Sequence, residues 1–310
     1  MSPFTGVMAW IALGSENSGF VNVFLRSIFR PLMGDDGAVI NIWTYGGIIW
    51  VMTIVFCPFA YLFTVGNLRG MDSSLEEAAR TTGASPWRTL IGVTLPLAAP
   101  AILGAALLIF VLCAEMYTIP GMIGSNIGYT TLPWRIYRDI NGIPVRMAHA
   151  AASGTLLLWV TCFGIWLQRR LTRQTERFAT VTGKGVRLKP LALGWFKAPA
   201  LALLIGYVMV ADILPFVALV MSSVMKFSAP AITADLFTLK NYADFFRLKN
   251  MLDALQNTTL LAVMSAAACL VIGLMISYIE LRRPDFSTRT LAFLAVLPVA
   301  VPGIVYGIGP

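Results

Sequence analysis

The amino-acid sequence predicts an all-α membrane protein, a polytopic bundle of helices that cross a bilayer. The chain of 310 residues is 57% hydrophobic and only 12% charged, whereas soluble domains are about 25% charged. Its apolar residues are concentrated in runs of the length that a helix needs to cross the hydrocarbon core. Its basic residues are concentrated between those runs. These three observations exclude a soluble domain of usual composition.

Six segments are long and apolar enough, or nearly so, to cross a membrane as helices. They lie at about 41–66, 96–114, 151–168, 198–223, 256–280 and 290–308. The first residues, MSPFTGVMAWIAL, lack a basic region ahead of the apolar run and so do not resemble a signal peptide. They look like the tail of a spanning segment, and we therefore expect the chain to begin within a domain.

The loops between the predicted spans indicate the orientation. Loops 67–95, 169–197 and 281–289 carry an excess of Lys and Arg, whereas loops 115–150 and 224–255 are mixed in sign. The positive-inside rule places the three basic loops in the cytoplasm, and six crossings put them on the same side. The net charge of +8 is therefore explained by membrane orientation, and no nucleic-acid partner is expected.

A polar stretch between two long apolar segments, Met71–Pro100, has the signals of a helical hairpin. Asp72 and Ser73 can cap a first helix, and Glu76 completes a capping-box pattern with Ser73. Gly83 is the residue best able to take a left-handed conformation at the end of that helix. The sequence therefore predicts a short helix that ends near Gly83.

Two prolines organise the second part of this stretch. Pro86 suits the first turn of a second helix, and Pro96 marks a break or kink where the chain re-enters lipid. An ordinary cytoplasmic loop with an amphipathic hairpin would account for these features taken alone.

The spacing within the stretch resembles the EAA motif of the membrane subunits of ATP-binding-cassette (ABC) importers. That motif runs EAA, three residues, Gly, nine residues, Ile, one residue, Leu-Pro, and here Val93 replaces the Ile. The resemblance implies a coupling helix that docks on a separate nucleotide-binding subunit. The residues that it assigns to coupling with the ATPase subunit are Glu76, Glu77, Ala78, Ala79, Arg80, Gly83, Leu95 and Pro96.

The resemblance extends to the layout of the chain. It implies the fold of the type I importer transmembrane domain, and in ferric-iron permeases two homologous halves are often joined. Residues 1–175, with the coupling loop at 67–96, resemble the latter part of a first half, and 176–197 form a basic cytoplasmic linker. Residues 198–310 resemble the opening part of a second half. The second EAA segment is then expected beyond Pro310, so that the chain is a fragment.

The implied function is that of a permease in an ATP-driven importer of the inner membrane. Its partners are nucleotide-binding subunits inside, a solute-binding protein outside and the lipid bilayer; no cofactor is expected. Ferric iron is the favoured solute, with thiamine, polyamine and phosphonate as alternatives. The rival class is an ion-coupled secondary transporter, whose signature would be paired ionisable groups at the midplane of the membrane.

Two acidic residues are candidates for the transport pathway. Asp212 lies near the middle of a predicted span, where a carboxylate is costly and often functional. The alternative is that Asp212 caps or hydrogen-bonds beside the helix break at Pro215, facing the bundle. Glu115 lies at the outer end of its helix, before Pro120, where it either lines the pathway or occupies an interfacial position.

The remaining motifs carry no catalytic chemistry. His149 is the single histidine, so a His-based metal cluster is excluded, and Gly183-Lys184 has Phe178 where a phosphate-binding loop needs Gly. ATP is therefore hydrolysed elsewhere, and the chain is not itself an enzyme. The cysteines lack CxxC spacing and are predicted to be small buried hydrophobes; they are Cys57, Cys113, Cys162 and Cys269.

Overall fold

The structure is a computed structural model of the chain. It describes residues 1–33, 40–69, 74–172, 194–229 and 232–283, followed by residues 285, 288, 290, 291, 294, 295 and 303. The predicted basic linker at 176–197 and the predicted span at 290–308 therefore lie largely outside the described residues. Within them the chain is helical, and the one pairing of extended residues joins Met225 to Phe237.

The chain divides into two compact units. The first contains residues 1–7, 44–213 and 303–310, and the second contains residues 8–43 and 214–302. The helices, in chain order, are α1 Pro3–Gly14, α2 Phe20–Met33, α3 Tyr45–Arg69, α4 Ser74–Thr81, α5 Pro86–Thr89, α6 Leu95–Glu115, α7 Thr118–Gly124, α8 Leu132–Asn141, α9 Met147–Thr172, α10 Lys197–Val208, α11 Leu214–Ser223, α12 Lys240–Arg247 and α13 Lys249–Arg282.

The core of the first unit is formed by α3, α6 and α9, with α6 packed against both of the others. Val51 of α3 and Val111 of α6 are buried, and Leu157 of α9 is buried against Ile136 of α8. A Cβ added at Gly164 would lie 3.0 Å from Val111 Cγ2. The absence of a side chain at Gly164 therefore lets α9 approach α6 closely, as small residues do between membrane helices.

The predicted spans agree with the helices. In the part of the chain that the structure describes, four helical segments are long and apolar enough to cross a membrane: Tyr45–Gly66, Met147–Leu167, Lys197–Ser223 and Lys249–Arg282. A fifth candidate is a bent pair, Trp87–Ala99 and Ala101–Glu115. The prediction of an all-α, multi-pass membrane protein is confirmed.

The second unit is organised locally by side-chain amides. The Asn22 amide donates to the carbonyl oxygens of Ser15 at 3.0 Å and Ile40 at 2.6 Å, and Asn22 Oδ1 accepts from the Ile40 amide. Asn22 is fully buried, so these bonds replace the water that its amide loses on folding. Asn241 likewise donates to the carbonyls of Ser223 and Met225.

Two cysteines correct the sequence prediction. Cys57 and Cys113 are partly buried, but Cys162 of α9 and Cys269 of α13 are exposed on the surfaces of spans. The prediction that all four are buried is wrong for these two. The physical reason is that a membrane helix has no need to turn an apolar side chain away from its surroundings, because lipid is itself apolar.

Candidate functional site

The first helix of the polar stretch Met71–Pro100, α4, ends as the sequence predicts. Gly83 has φ +86°, in the left-handed region. Its amide donates to the Arg80 carbonyl at 2.9 Å, and the Ala84 amide donates to the Ala79 carbonyl at 3.1 Å. This pair of bonds is a complete Schellman motif, which satisfies the last carbonyls of α4 and reverses the chain.

The second helix of the stretch begins at once after the turn. The Ser85 carbonyl accepts from the Thr89 amide at 2.9 Å, and Ser85 Oγ accepts from the Arg88 amide at 3.4 Å. Ser85 is thus the N-cap, and Pro86 occupies the first position of α5, where its missing N–H costs nothing. The prediction for Pro86 is confirmed.

A π-helical turn, Leu90–Thr94, joins α5 to α6, and the Leu95 amide donates to the Leu90 carbonyl. The ring of Pro96 would collide with the carbonyl of Gly92 in a regular α-helix, and a wider turn relieves that contact. The sharp bend, 55°, therefore falls at Pro100, between Trp87–Ala99 and Ala101–Glu115. The predicted break at Pro96 is confirmed, because the π-turn interrupts the α-helix directly before Leu95 and Pro96, while the sharp bend lies further along the chain.

One hydrogen bond closes the hairpin. Thr94 Oγ1 donates to Glu76 Oε1 at 2.7 Å, so the π-turn is tied to α4. The partners of the predicted capping box, Asp72 and Ser73, lie outside the described residues. Sequence reasoning missed the bond because its partners are 18 positions apart, and its only signal is a hydroxyl placed next to Leu-Pro.

The structure places the EAA residues on α4 and the Leu-Pro pair at the start of α6, directly after the π-turn that α4 contacts. Glu77, Ala78 and Arg80 are exposed, while Glu76 and Ala79 are partly buried. Leu95 and Pro96 begin α6 and are also exposed. The EAA residues therefore form a small polar surface on an eight-residue helix, held in place by the Schellman turn and the bond from Thr94.

Glu115 ends α6, and the chain turns there into α7. The side chain is partly buried, and its Oε1 atom has no hydrogen-bond partner among the described residues. Most buried polar atoms have a hydrogen-bond partner, so this oxygen is an exception. The prediction that Glu115 lies at the end of its helix is confirmed.

Asp212 lies within a second π-helical turn, Met209–Ile213, between α10 and α11. Its side chain is exposed and makes no hydrogen bond or ion pair with any residue in the described ranges. Tyr207, five positions earlier, is close enough to interact with both the Asp212 carboxylate and the Cys57 thiol of α3. The alternative role as a cap or hydrogen-bonding group beside Pro215 therefore has no partner in the described part of the chain.

The outer segment after α7 forms a basic cleft. Helix α8 packs on α9. Its residues Trp134 and Tyr137 indicate that it is amphipathic. Arg135 forms an ion pair with Asp139 at 3.1 Å. The cleft has a volume of about 550 Å³ and three arginines in its lining, Arg135, Arg138 and Arg146. With a single carboxylate among them, this surface is electropositive.

The described residues contain no cluster of three or more His, Cys, Asp or Glu side chains that could hold a metal ion. Catalytic groups are likewise not gathered in any of the sites described above.

Comparison of the sequence with models of known protein families finds a match. The family model described as "Binding-protein-dependent transport system inner membrane component" matches residues 7–177. No solved structure matches the chain.

Curated relatives match over the whole chain. It is 27% identical to the ferric transport system permease protein FbpB of Actinobacillus pleuropneumoniae, over 99% of this chain and 43% of that protein. It is 27% identical to a putative ferric transport system permease protein of Haemophilus influenzae, over 99% of this chain and 47% of that one. The chain thus spans a little under half the length of these relatives. A shorter match, 37% identical, joins 30% of this chain to 33% of the putrescine transport system permease protein PotI of Escherichia coli.

Proposed function

Because this chain belongs to the family of binding-protein-dependent transport system inner membrane components, we propose that it is the membrane-spanning permease subunit of an ATP-driven ABC importer. ATP is hydrolysed in separate nucleotide-binding subunits, and a solute-binding protein delivers the solute outside. The observation that carries the proposal is the hairpin of α4 and α5, which presents the EAA residues on an exposed, geometrically fixed helix.

The mechanism that we propose is alternating access. Closure of the nucleotide-binding subunits on ATP displaces α4, whose exposed Glu77, Ala78 and Arg80 form the contact. The Schellman turn at Gly83 and the bond between Thr94 and Glu76 make the hairpin stiff. Displacement of α4 is therefore transmitted through the π-turn to α6, which packs against α3 and α9.

The experiment that tests the coupling role reverses the charge at Glu77, an exposed position outside the spans. Glu77→Lys is expected to lower co-purification of the nucleotide-binding subunit and ATP-dependent uptake, because it places a cation toward the positive end of α4 and at the proposed contact. The matched control is Asp253→Lys, a charge reversal at an exposed carboxylate that lies near the start of another helix, α13, outside the hairpin. Normal uptake by Glu77→Lys would overturn the coupling role.

For the solute, we propose ferric iron. The relatives that match 99% of this chain are ferric transport permeases, whereas the putrescine permease matches 30% of it. The alternative is an organic solute such as a polyamine, thiamine or a phosphonate. Uptake of radioactive iron and of putrescine by vesicles that hold the assembled transporter and its binding protein separates these possibilities.

We place the solute pathway beside Glu115 and Asp212. The unpartnered Oε1 of Glu115 and the exposed carboxylate of Asp212 support this, because a carboxylate inside a membrane is tolerated where it faces protein or a water-filled cavity. At the outer face, the electropositive cleft between Arg138 and Arg146 is suited to an acidic surface of the solute-binding protein.

We also propose the two-half layout for the chain. Residues 1–175 correspond to the latter part of a first half, 176–197 to a cytoplasmic linker and 198–310 to the opening part of a second half. The relatives of about twice this length support it.

The proposal that competes is an ion-coupled secondary transporter. It draws support from Asp212 alone, whose position in a π-turn within a span resembles the broken helices of such carriers. Uptake measured with ATP depleted and the ion gradient intact distinguishes the two. Continued uptake would favour the carrier and overturn the ABC permease.

A further inference from the structure

The second limb of the hairpin, Trp87–Ala99, turns polar side chains inward and apolar side chains outward, which is the reverse of a helix in a soluble protein. Thr89 is buried, and Thr94 is partly buried with its hydroxyl bonded to Glu76. The outward side chains are apolar apart from Arg88: Trp87, Leu90, Ile91, Leu95, Pro96 and Leu97 are all exposed. In water this arrangement is unfavourable, because a soluble helix turns its apolar face inward.

The first limb, α4, has the opposite arrangement. Its exposed side chains are mostly polar and include Glu77, Ala78, Arg80 and Thr81, while Ala79 is partly buried, as is Glu76, whose carboxylate accepts from Thr94. Because α4 packs against α5 and the π-turn, the hairpin has one polar surface and one apolar surface. The two surfaces therefore suit two different surroundings.

The dimensions of the bent span identify the surroundings of the apolar surface. The outer limb, Ala101–Glu115, rises only about 22 Å at 1.5 Å per residue, and the hydrocarbon core of a bilayer is about 30 Å thick. The inner limb of the bent span is Trp87–Ala99, the second limb of the hairpin. Its axis is inclined by 55° to that of Ala101–Glu115, so it extends the span by about 11 Å along the axis of Ala101–Glu115. The two limbs together cross the core, and Trp87 then lies at its cytoplasmic boundary.

We propose that Trp87–Ala99 is embedded in the cytoplasmic leaflet of the bilayer, with Trp87 and Arg88 at the level of the lipid headgroups. Trp is enriched at membrane interfaces, and Arg extends its charge to the headgroups. The lipid surface thus holds one limb of the hairpin, and α4 remains in the water for its protein partner. The surface continues directly into the span α6, which the bilayer already surrounds.

The geometry of the π-turn supports this assignment. The bond from the Leu95 amide to the Leu90 carbonyl pairs two backbone groups within the helix at this turn, and hydrocarbon requires such internal pairing. The same widened turn places Thr89 and Thr94, five positions apart, on one face: Thr94 Oγ1 lies 3.5 Å from the Thr89 carbonyl. Both hydroxyls are therefore kept away from the lipid-facing side.

Spin-label accessibility measures the surroundings of each limb without any assay of transport. In a chain whose four native cysteines are replaced by Ala, a nitroxide is attached at Ile91→Cys or, as the control, at Ala78→Cys on α4. Both positions are exposed, so both labels are tolerated by the fold. The chain is reconstituted in vesicles of phosphatidylethanolamine and phosphatidylglycerol, with and without the nucleotide-binding subunits.

The label at Ile91 is expected to be relaxed more strongly by oxygen, which dissolves in lipid, than by a water-soluble nickel chelate. The label at Ala78 is expected to show the reverse without the nucleotide-binding subunits. Stronger relaxation by nickel at Ile91 would place that surface in water and overturn the proposal. Loss of accessibility to both reagents at Ile91 only when those subunits are present would make it a protein contact, which also overturns it.

Discussion

The coupling hairpin and the middle of the span Lys197–Ser223 use the same backbone device in different surroundings. Each has a π-turn of five residues, Leu90–Thr94 and Met209–Ile213, followed at once by Leu-Pro. In both cases the residue four positions before the proline, where its ring would collide with a carbonyl, is small: Gly92 or Ala211. In both places, a π-turn thus precedes a Leu-Pro pair.

The two turns differ in what fixes them. The hairpin turn is tied to α4, because Thr94 donates to Glu76. The turn within the span carries its own carboxylate, Asp212, which has no hydrogen bond or ion pair within the described ranges. The first turn is therefore linked to a second helix, as the proposed coupling role requires, whereas the second turn presents an acidic group. Turns of this kind are frequent at functional sites.

The largest effect is expected from Gly83→Val, which disrupts the turn that ends α4 in the hairpin. At φ +86° a β-branched residue is strongly disfavoured, by roughly 1–2 kcal/mol or more. No atom lies within 4 Å of an added Cβ, so the strain comes from the backbone alone. We expect ATP-dependent uptake to be lost while membrane abundance stays normal.

The chain offers a matched control for this variant. Gly128, in the outer turn, has φ +71° and equally open space around an added Cβ. Gly128→Val therefore carries the same kind of strain far from the proposed coupling contact along the chain. Its nucleotide-binding subunit should still co-purify, and its loss from the complex would show that strain in general, and not the hairpin, disrupts assembly.

A smaller effect is expected from removing each proline. Pro96→Ala permits a regular α-turn, which would rotate Thr94 away from Glu76 and misalign α4. We expect uptake to fall roughly tenfold, and Pro215→Ala to have a smaller effect because no tie depends on that turn. Initial rates of uptake, corrected for membrane abundance, compare the two. Equal losses would remove the proposed difference between the turns.

The sequence predicted much of this fold and of the hairpin. Runs of apolar residues located the spans, Gly83 located the end of α4, and Pro86 located the start of α5, because these signals are local. The bond between Glu76 and Thr94 was not predictable, since it depends on how two helices meet. Pro96 predicts a break because proline removes a backbone donor, and the π-turn does interrupt the α-helix directly before Leu95 and Pro96. The bend at Pro100 was not predicted.

A modest effect is expected from the bond between Thr94 and Glu76. Thr94→Val removes the donor with little change of shape, and Glu76→Ala removes the acceptor. Because both side chains are only partly buried, their coupling energy should be about 1 kcal/mol. A double-mutant cycle on the free energy of unfolding, measured by detergent titration, gives this value. If the loss of stability in the double variant equals the sum of the losses in the two single variants, the bond does not stabilise the hairpin.

The smallest effect is expected at the second turn, from Asp212→Asn. Asparagine has nearly the same shape as aspartate and keeps one acceptor oxygen, and no ion pair to the described residues is broken. If Asp212 only borders a water-filled path, removal of its charge should change uptake by no more than a few-fold. Asp212→Leu is the sharper companion, because it also removes the polar group. A severe loss in the Asn variant, with normal membrane abundance, would mean that the charge itself acts in transport and would promote this turn to a gating element.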